Sequence, residues 1–198
     1  DYLRIMRFFR FYSIFSKKPI DKNALKACVD NKDGLRTISI ERVRDELFKL
    51  LVTPKVAETM QIIFEKEILS YFLPSKSTHF EALQHLTELV EDMKYEGNFL
   101  RRLFVFYQPN SSEAENIART LRFSKKQKDI FISWAKINLM PENISTPTQR
   151  LRFIYRYGKT FCLDKILLTA AIYNIDSSKA ANVLQEVEDA VVPIFPLR

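Results

Sequence analysis

The sequence predicts an all-α fold of about ten helices, on three observations. Glycine is scarce, with 3 in 198 residues. The chain is therefore short of the φ > 0 positions that tight hairpins and phosphate-cradling loops use. Apolar residues recur at helical spacing from one end to the other, and no alternation of period two is long enough to build a sheet. Capping residues and prolines stand between these stretches at helix-start positions.

The elements follow in order. From Tyr2 to Phe15 apolar residues cover most of a helical circumference, while Asp1, Arg4, Arg7 and Arg10 recur every third position. That pattern predicts a buried helix with a charged stripe. Asp21 caps a second helix through Ala24, Leu25 and Cys28, which ends near Gly34. Ser39 opens a third through Val43, Leu47, Leu50 and Leu51. Thr53-Pro54 starts a fourth, Val56 to Ile68, and Pro74 closes the segment Leu69 to Leu73. A long amphipathic helix runs from Thr78 to Met93 and breaks at Gly97. Then come Phe99 to Tyr107, Ala114 to Leu121 capped by Ser111 or Ser112, and Lys125 to Leu139 capped by Ser124. Pro147 opens the helix through Arg150 to Tyr157, and Gly158 separates it from Lys159 to Tyr173. Lys179 to Ala190 precedes an extended Val192-Pro193-Ile194-Phe195-Pro196 end. The boundary between two domains, 1–74 and 75–198, falls near Pro74 to Ser77.

The formal net charge of +7 and a pI near 9.4 favour a polyanionic partner such as nucleic acid over acidic small molecules. Cys28 and Cys162 sit far apart in apolar helical settings and read as reduced core residues, which suggests a cytoplasmic setting. No apolar run is long enough to span a membrane. His79 and His85 lack companions for a metal site, and neither cysteine has a histidine base nearby. The chain begins at Asp1 without methionine and reads as a fragment.

Three stretches carry a family likeness. Asp1-Tyr2-Leu3-Arg4-Ile5-Met6-Arg7-Phe8-Phe9-Arg10-Phe11 resembles the E-D-x-L-R-x-L-R-x-x-R-F helix that begins the neck of class II CCA-adding tRNA nucleotidyltransferases and related bacterial poly(A) polymerases. The stretch from Gly34-Leu35 through Ile38-Ser39 and Glu41-Arg42-Val43 to Glu46-Leu47 and Lys49-Leu50-Leu51 is similar to that family's G-L-x-x-I-S-x-E-R-I-x-x-E-L-x-K-L-L segment, the most specific of the matches. Arg119 to Ser124, the Tyr155-Arg156-Tyr157-Gly158 turn and Val192 to Leu197 resemble the body and the start of the tail.

The resemblance implies an elongated multi-helix neck and body arrangement, the helical, C-terminal part of an enzyme that adds CCA to tRNA 3′ ends from CTP and ATP. A catalytic head, on the same or a separate chain, would supply magnesium through a D-x-D carboxylate pair. That pair and its Gly-Ser turn are absent here. Glu65 and Glu67, Glu113 and Glu115, and Glu186 and Glu188 have the right one-residue gap, but on a helix i and i+2 face apart. The fragment alone is therefore expected to bind no metal and to be inactive.

Nucleotide selection falls to Asp1, Arg4 and Arg7. On a helix Asp1 and Arg4 are neighbours at i and i+3. A carboxylate acceptor beside a guanidinium donor matches the amino group and ring nitrogen of cytosine or adenine, whereas uracil and guanine present the reverse order. The plain alternative is an exposed ion pair. Arg7 and Arg10 either reach triphosphate or RNA, or pair with Glu41, Asp45 or Glu46. Glu41, Arg42 and Glu46 read as braces of the neck helix. For RNA backbone contact the candidates are Arg101 and Arg102, then Arg119, Arg122, Lys125, Lys126 and Lys128, then Arg150, Arg152 and Arg156. Phe153, Tyr155 and Tyr157 either stack on bases or belong to the core. Two alternatives stay open: poly(A) addition, which shares the neck pattern, and a helical protein-interaction module without enzymatic role.

Overall fold

The computed structural model describes residues 1–73 and 78–191. Among these residues there are eleven α-helices, two 3-10 helices and no strand. They are α1 (Leu3–Phe15), α2 (Lys22–Asp30), a 3-10 helix (Lys32–Thr37), α3 (Ile40–Leu51), α4 (Val56–Glu65), α5 (Phe80–Asp92), α6 (Phe99–Tyr107), α7 (Ser111–Thr120), α8 (Lys125–Lys136), a second 3-10 helix (Pro141–Ile144), α9 (Pro147–Tyr157), α10 (Lys159–Ile172) and α11 (Ser177–Asp189). The expected boundary at Pro74 to Ser77 and the extended end from Val192 lie outside the described residues.

α1 packs on α3 and α4, α4 on α5, and α5 on α6 and α10. α7 and α8 form a hairpin that packs on α6, and α10 is flanked by α5, α6, α9 and α11. α10 is apolar on nearly every side, as its central place requires. Yet it buries Lys165 among Ile166, Leu167 and Leu168. Trp134 of α8 is wedged between Phe104 of α6 and Phe131, with the Phe104 ring centroid 5.7 Å away. Met6 and Phe9 of α1 are fully buried, a contribution of about 2–3 kcal/mol each. The expectation that α1 is covered nearly all round is corrected. Partners lie on one side of it, and Phe11, Ile14 and Phe15 stay exposed on the other.

Helix starts follow local chemistry. Asp21 accepts from the Ala24 N–H at 2.7 Å, and Ser124 with Gln127 and Thr146 with Gln149 form capping boxes. The cap of α7 is Asn110 paired with Glu113, one residue before the expected Ser111 or Ser112. Each such cap is worth about 1 kcal/mol.

Helix ends are where the sequence misleads. Glu67, Lys94, Gln108, Arg122 and Asn174 all take positive φ, so non-glycine residues supply the left-handed step that ends a helix. After four of them the next N–H returns to the carbonyl five residues back: Ile68 to Ile63, Tyr95 to Val90, Phe123 to Ala118 and Ile175 to Ala170, each at 2.9 Å. The residue that folds back is apolar every time and packs against the core. α4 accordingly stops at Glu65, short of the expected Ile68. α8 stops at Lys136, short of Leu139, where Ile137 turns extended.

Candidate nucleic-acid interface

The N-terminal turn of α1 is fixed from two directions. Tyr2 lays its ring on the backbone of Gly34, so close that a Cβ there would stand 2.2 Å from Tyr2 Cδ1. A side chain is excluded by contact, with no demand on φ. Asp1 caps α1 through Oδ1, which accepts from the Leu3 N–H at 3.1 Å. Its Oδ2 accepts from Arg42 Nη2 at 3.0 Å. The expected Asp1–Arg4 neighbours therefore share the start of α1, but the carboxylate is held by Arg42 of α3. Arg4 is exposed and makes no side-chain hydrogen bond or ion pair among the described residues.

Further along the stripe both remaining arginines meet one acid. Arg10 Nε donates to Glu46 Oε2 at 2.8 Å, and Arg7 Nε lies 3.8 Å from Glu46 Oε1. Lys49 closes the group at 3.2 Å. Glu46 is buried, which alone would raise its carboxyl, but the bonds from Arg10 and Lys49 outweigh burial and hold it below the usual range. Breaking this buried cluster from one side would leave an uncompensated charge. Arg7 keeps about half of its side chain exposed.

α3 also reaches the α7–α8 turn. Arg122 Nη1 donates to Glu41, and Arg44 Nη1 donates to the Arg122 carbonyl at 2.9 Å. Phe48 stacks on Phe99 with centroids 4.0 Å apart and meets Phe123 edge-on at 5.8 Å. The acids Glu41 and Glu46 and the base Arg42 thus brace α3 against α1 and α7–α8.

The basic candidates separate into three kinds. Arg102 is 5% exposed and donates from Nη1 to the carbonyls of Leu51 and Thr53, both at 2.8 Å. Burial, with Arg101 beside it, pushes its guanidinium down to about 10. Arg150 is 6% exposed, donates to the Ile144 carbonyl at 2.7 Å and pairs with Glu186. These two seal the ends of neighbouring segments, with their charge turned toward carbonyls. Arg101 is mostly buried, 3.6 Å from Asp164, and its charge is turned inward too. Arg119 and Arg122 are exposed but occupied, by Asn116 and Glu41. Lys125, Lys126 and Lys128 on the first turns of α8, and Arg152 and Arg156 on α9, are exposed and form no ion pair among the described residues.

Among the described residues no three His, Cys, Asp or Glu side chains gather as a metal site. Glu67 pairs with Lys32, Glu186 with Arg150 and Glu188 with Tyr95. These carboxylates do not fit a two-metal centre, and no chemical step is assigned to them. Both cysteines are buried and unpaired. No described helix is long and apolar enough to cross a membrane. Sequence reasoning passed over Lys165, which lies in the core with Nζ 3.0 Å from the Trp134 carbonyl. Its neighbours one helical turn away, Phe161 and Cys162 before it and Leu168 after it, were the available signal.

A braced, arginine-bearing helix with unpaired basic groups on two others gives the module a surface whose charge suits a polyanion. Residues 19–78, from the end of α1 through α4, match the family described as "Probable RNA and SrmB- binding site of polymerase A". The chain is 40% identical over 81 residues to the human protein named CCA tRNA nucleotidyltransferase 1, mitochondrial, covering 39% of this chain and 19% of that one. The zebrafish (Danio rerio) protein of that name is 29% identical over 133 residues, 66% of this chain and 30% of its own length. The mouse (Mus musculus) protein is 28% identical over the same span. Over these stretches the chain is similar to those proteins, and its matches span less than a third of their length.

Proposed function

We propose that the chain selects nucleotides and holds tRNA within an enzyme that adds CCA to tRNA 3′ ends from CTP and ATP. The head that would bind magnesium and carry the chemistry lies outside these 198 residues, so the chain alone would not extend RNA. The domains assigned at 1–74 and 75–198 would divide this work, with selection in the first and tRNA contact in the second.

The observation that carries the reading is the bracing of α1 on the family-matched segment. Asp1, Arg4 and Arg7 start a helix tied to α3 by Arg42 and Glu46. The Asp1–Arg42 pair is exposed on both sides, so exchanging Arg42 for a nucleobase would cost at most about 1 kcal/mol. Arg4 is free to donate to the ring nitrogen while Asp1 accepts from the exocyclic amine.

The test uses this chain joined to an active head, with single-turnover incorporation of all four nucleotides. Arg4→Ala should lower the preference for CTP and ATP over UTP and GTP by about five- to two-hundredfold, since a good bidentate base contact is worth about 1–3 kcal/mol. Asp1→Ala should act in the same direction and not additively. Equal slowing of every nucleotide would reduce the group to surface ion pairs. The description of the matched family, naming polymerase A and SrmB binding, supports poly(A) addition or a protein-docking role as the second reading. Long A tracts in the same assay, with no C incorporation, would favour poly(A) addition. The buried thiols suit any reducing compartment, cytosol or mitochondrial matrix alike.

A further inference from the structure

One of the unpaired basic groups lines a groove. It runs between α9 and the stretch that follows α8, with a volume of about 350 Å³, lined by Asn138, Asn143, Gln149, Arg152, Arg156 and Tyr157 together with Phe153 and the apolar Ile137 and Leu139. No carboxylate lines it among the described residues. Arg152 and Arg156 stand one turn apart on α9, exposed and without an acidic partner among the described residues.

The carboxamides add donors. Asn143 Oδ1 already accepts from the Met140 N–H at 3.0 Å, and Gln149 Oε1 from the Thr146 N–H at 3.0 Å. Their oxygens are spent on local caps while their NH2 groups stay available. Tyr157 has its ring centroid 4.7 Å from Phe153 and 5.5 Å from Phe161. These contacts hold the half-buried ring in place, with the Arg156 guanidinium over it at 5.3 Å and Arg152 lining the same groove. The groove is rich in donors, poor in acceptors and aromatic on one side. A ligand that satisfies it is anionic, offers many acceptor oxygens and carries a flat ring.

We propose that this groove holds one unpaired nucleotide of an RNA strand, its phosphates between Arg152 and Arg156 and its base on Tyr157. The assignment rests on the RNA-facing reading above and names where on the surface it is realised. A base within a duplex cannot offer its face to Tyr157, so the groove discriminates against paired RNA. The exposed lysines on the first turns of α8 add charge.

The test is fluorescence anisotropy with the full 198-residue chain and a labelled unstructured oligoadenylate, a duplex of equal length and free AMP, in parallel with tRNA. The single strand should bind tighter than the duplex, and AMP should compete only weakly because it lacks the flanking phosphates. Arg152→Ala and Arg156→Ala should each flatten the salt dependence by about one neutralised phosphate. Tyr157→Leu should cost about five- to hundredfold with the salt slope unchanged, and Tyr157→Phe should restore the parent affinity. Melts of all four variants control for folding, with Tyr157→Phe guarding against lost packing. If oligoadenylate binds equally to parent and variants, or the duplex binds tighter, the groove assignment falls, while retained tRNA binding would leave the wider reading standing. If the variants weaken oligoadenylate as expected but tRNA does not bind, the groove stands and the tRNA reading falls.

Discussion

Replacing Lys165 with methionine should make the protein more stable at neutral pH and less stable in alkali. Lys165 is 5% exposed, and desolvation is the sole cause that pushes its amine from 10.5 down to about 8. A displacement of that size corresponds to about 3 kcal/mol of penalty on the charged form. Against it stands the bond from Nζ to the Trp134 carbonyl at 3.0 Å, worth about 1.5 kcal/mol. Lys165→Met keeps the stem volume, removes the penalty and loses the bond, so the net gain at pH 7 is about 1–2 kcal/mol. The sign follows from linkage: the unfolded lysine binds its proton more tightly than the folded one, so the penalty is complete below about 8 and vanishes as pH rises toward 10.5. Above that, the lost bond alone remains, and the parent should be the more stable by about 1 kcal/mol. Urea titrations of both proteins from pH 6 to 10.5 read the difference, and at pH 7 the melting temperature should rise by about 2–8 °C. A variant less stable than the parent by the same amount at every pH would refute the reasoning. It would mean that the carboxyl end of α8, whose carbonyls carry partial negative charge, already neutralises the ammonium.

Arg102→Met should move the other way at pH 7, because two charge-assisted bonds to Leu51 and Thr53 are lost against a similar recovery of desolvation. We expect a loss of about 1–2 kcal/mol by urea titration, with tRNA affinity at a temperature well below the melt unchanged. A clear fall in affinity at unchanged stability would return Arg102 to the RNA surface. Gly34→Ala should cost about 1–3 kcal/mol through its clash with Tyr2, and Tyr2→Ala should absorb most of that in a double-mutant cycle. Additive effects of the two changes would show that the contact is not the reason for the glycine.

Helix starts were legible because they are written in local chemistry. Asp21 and Ser124 each accept from a backbone N–H within three residues, and Pro147 suits a first helical turn, so type and spacing suffice. Helix ends were not, because they depend on distant partners. Ile68 abandons α4 to pack inward, and no glycine advertises it. The same limit governs the arginines. Arg101 and Arg102 sit in Phe99–Tyr107, a helix otherwise wholly apolar, and a charge among such neighbours is better spent on carbonyls than on solvent. Arg152 and Arg156 look no different in sequence. They differ from Arg150 of the same helix in being exposed beside a groove, where Arg150 is buried and paired with Glu186. The stripe on α1 was readable by its spacing, whereas the choice of Arg42 as partner of Asp1 required the approach of α3.

Trp134 is the one tryptophan in the chain, and its place between Phe104 and Phe131 turns it into a local optical reporter. Its emission senses α6, α8 and the Lys165 amine, while α1 through α4 contain no indole. Far-ultraviolet dichroism, by contrast, counts every helix. Superposable denaturation curves from the two signals would mean that the shared core, continuous from Met6 to Val187, melts as one cooperative unit. An emission change that lagged or led the dichroism would reveal two folding units within a single packed interior, and would say which of them gives way first.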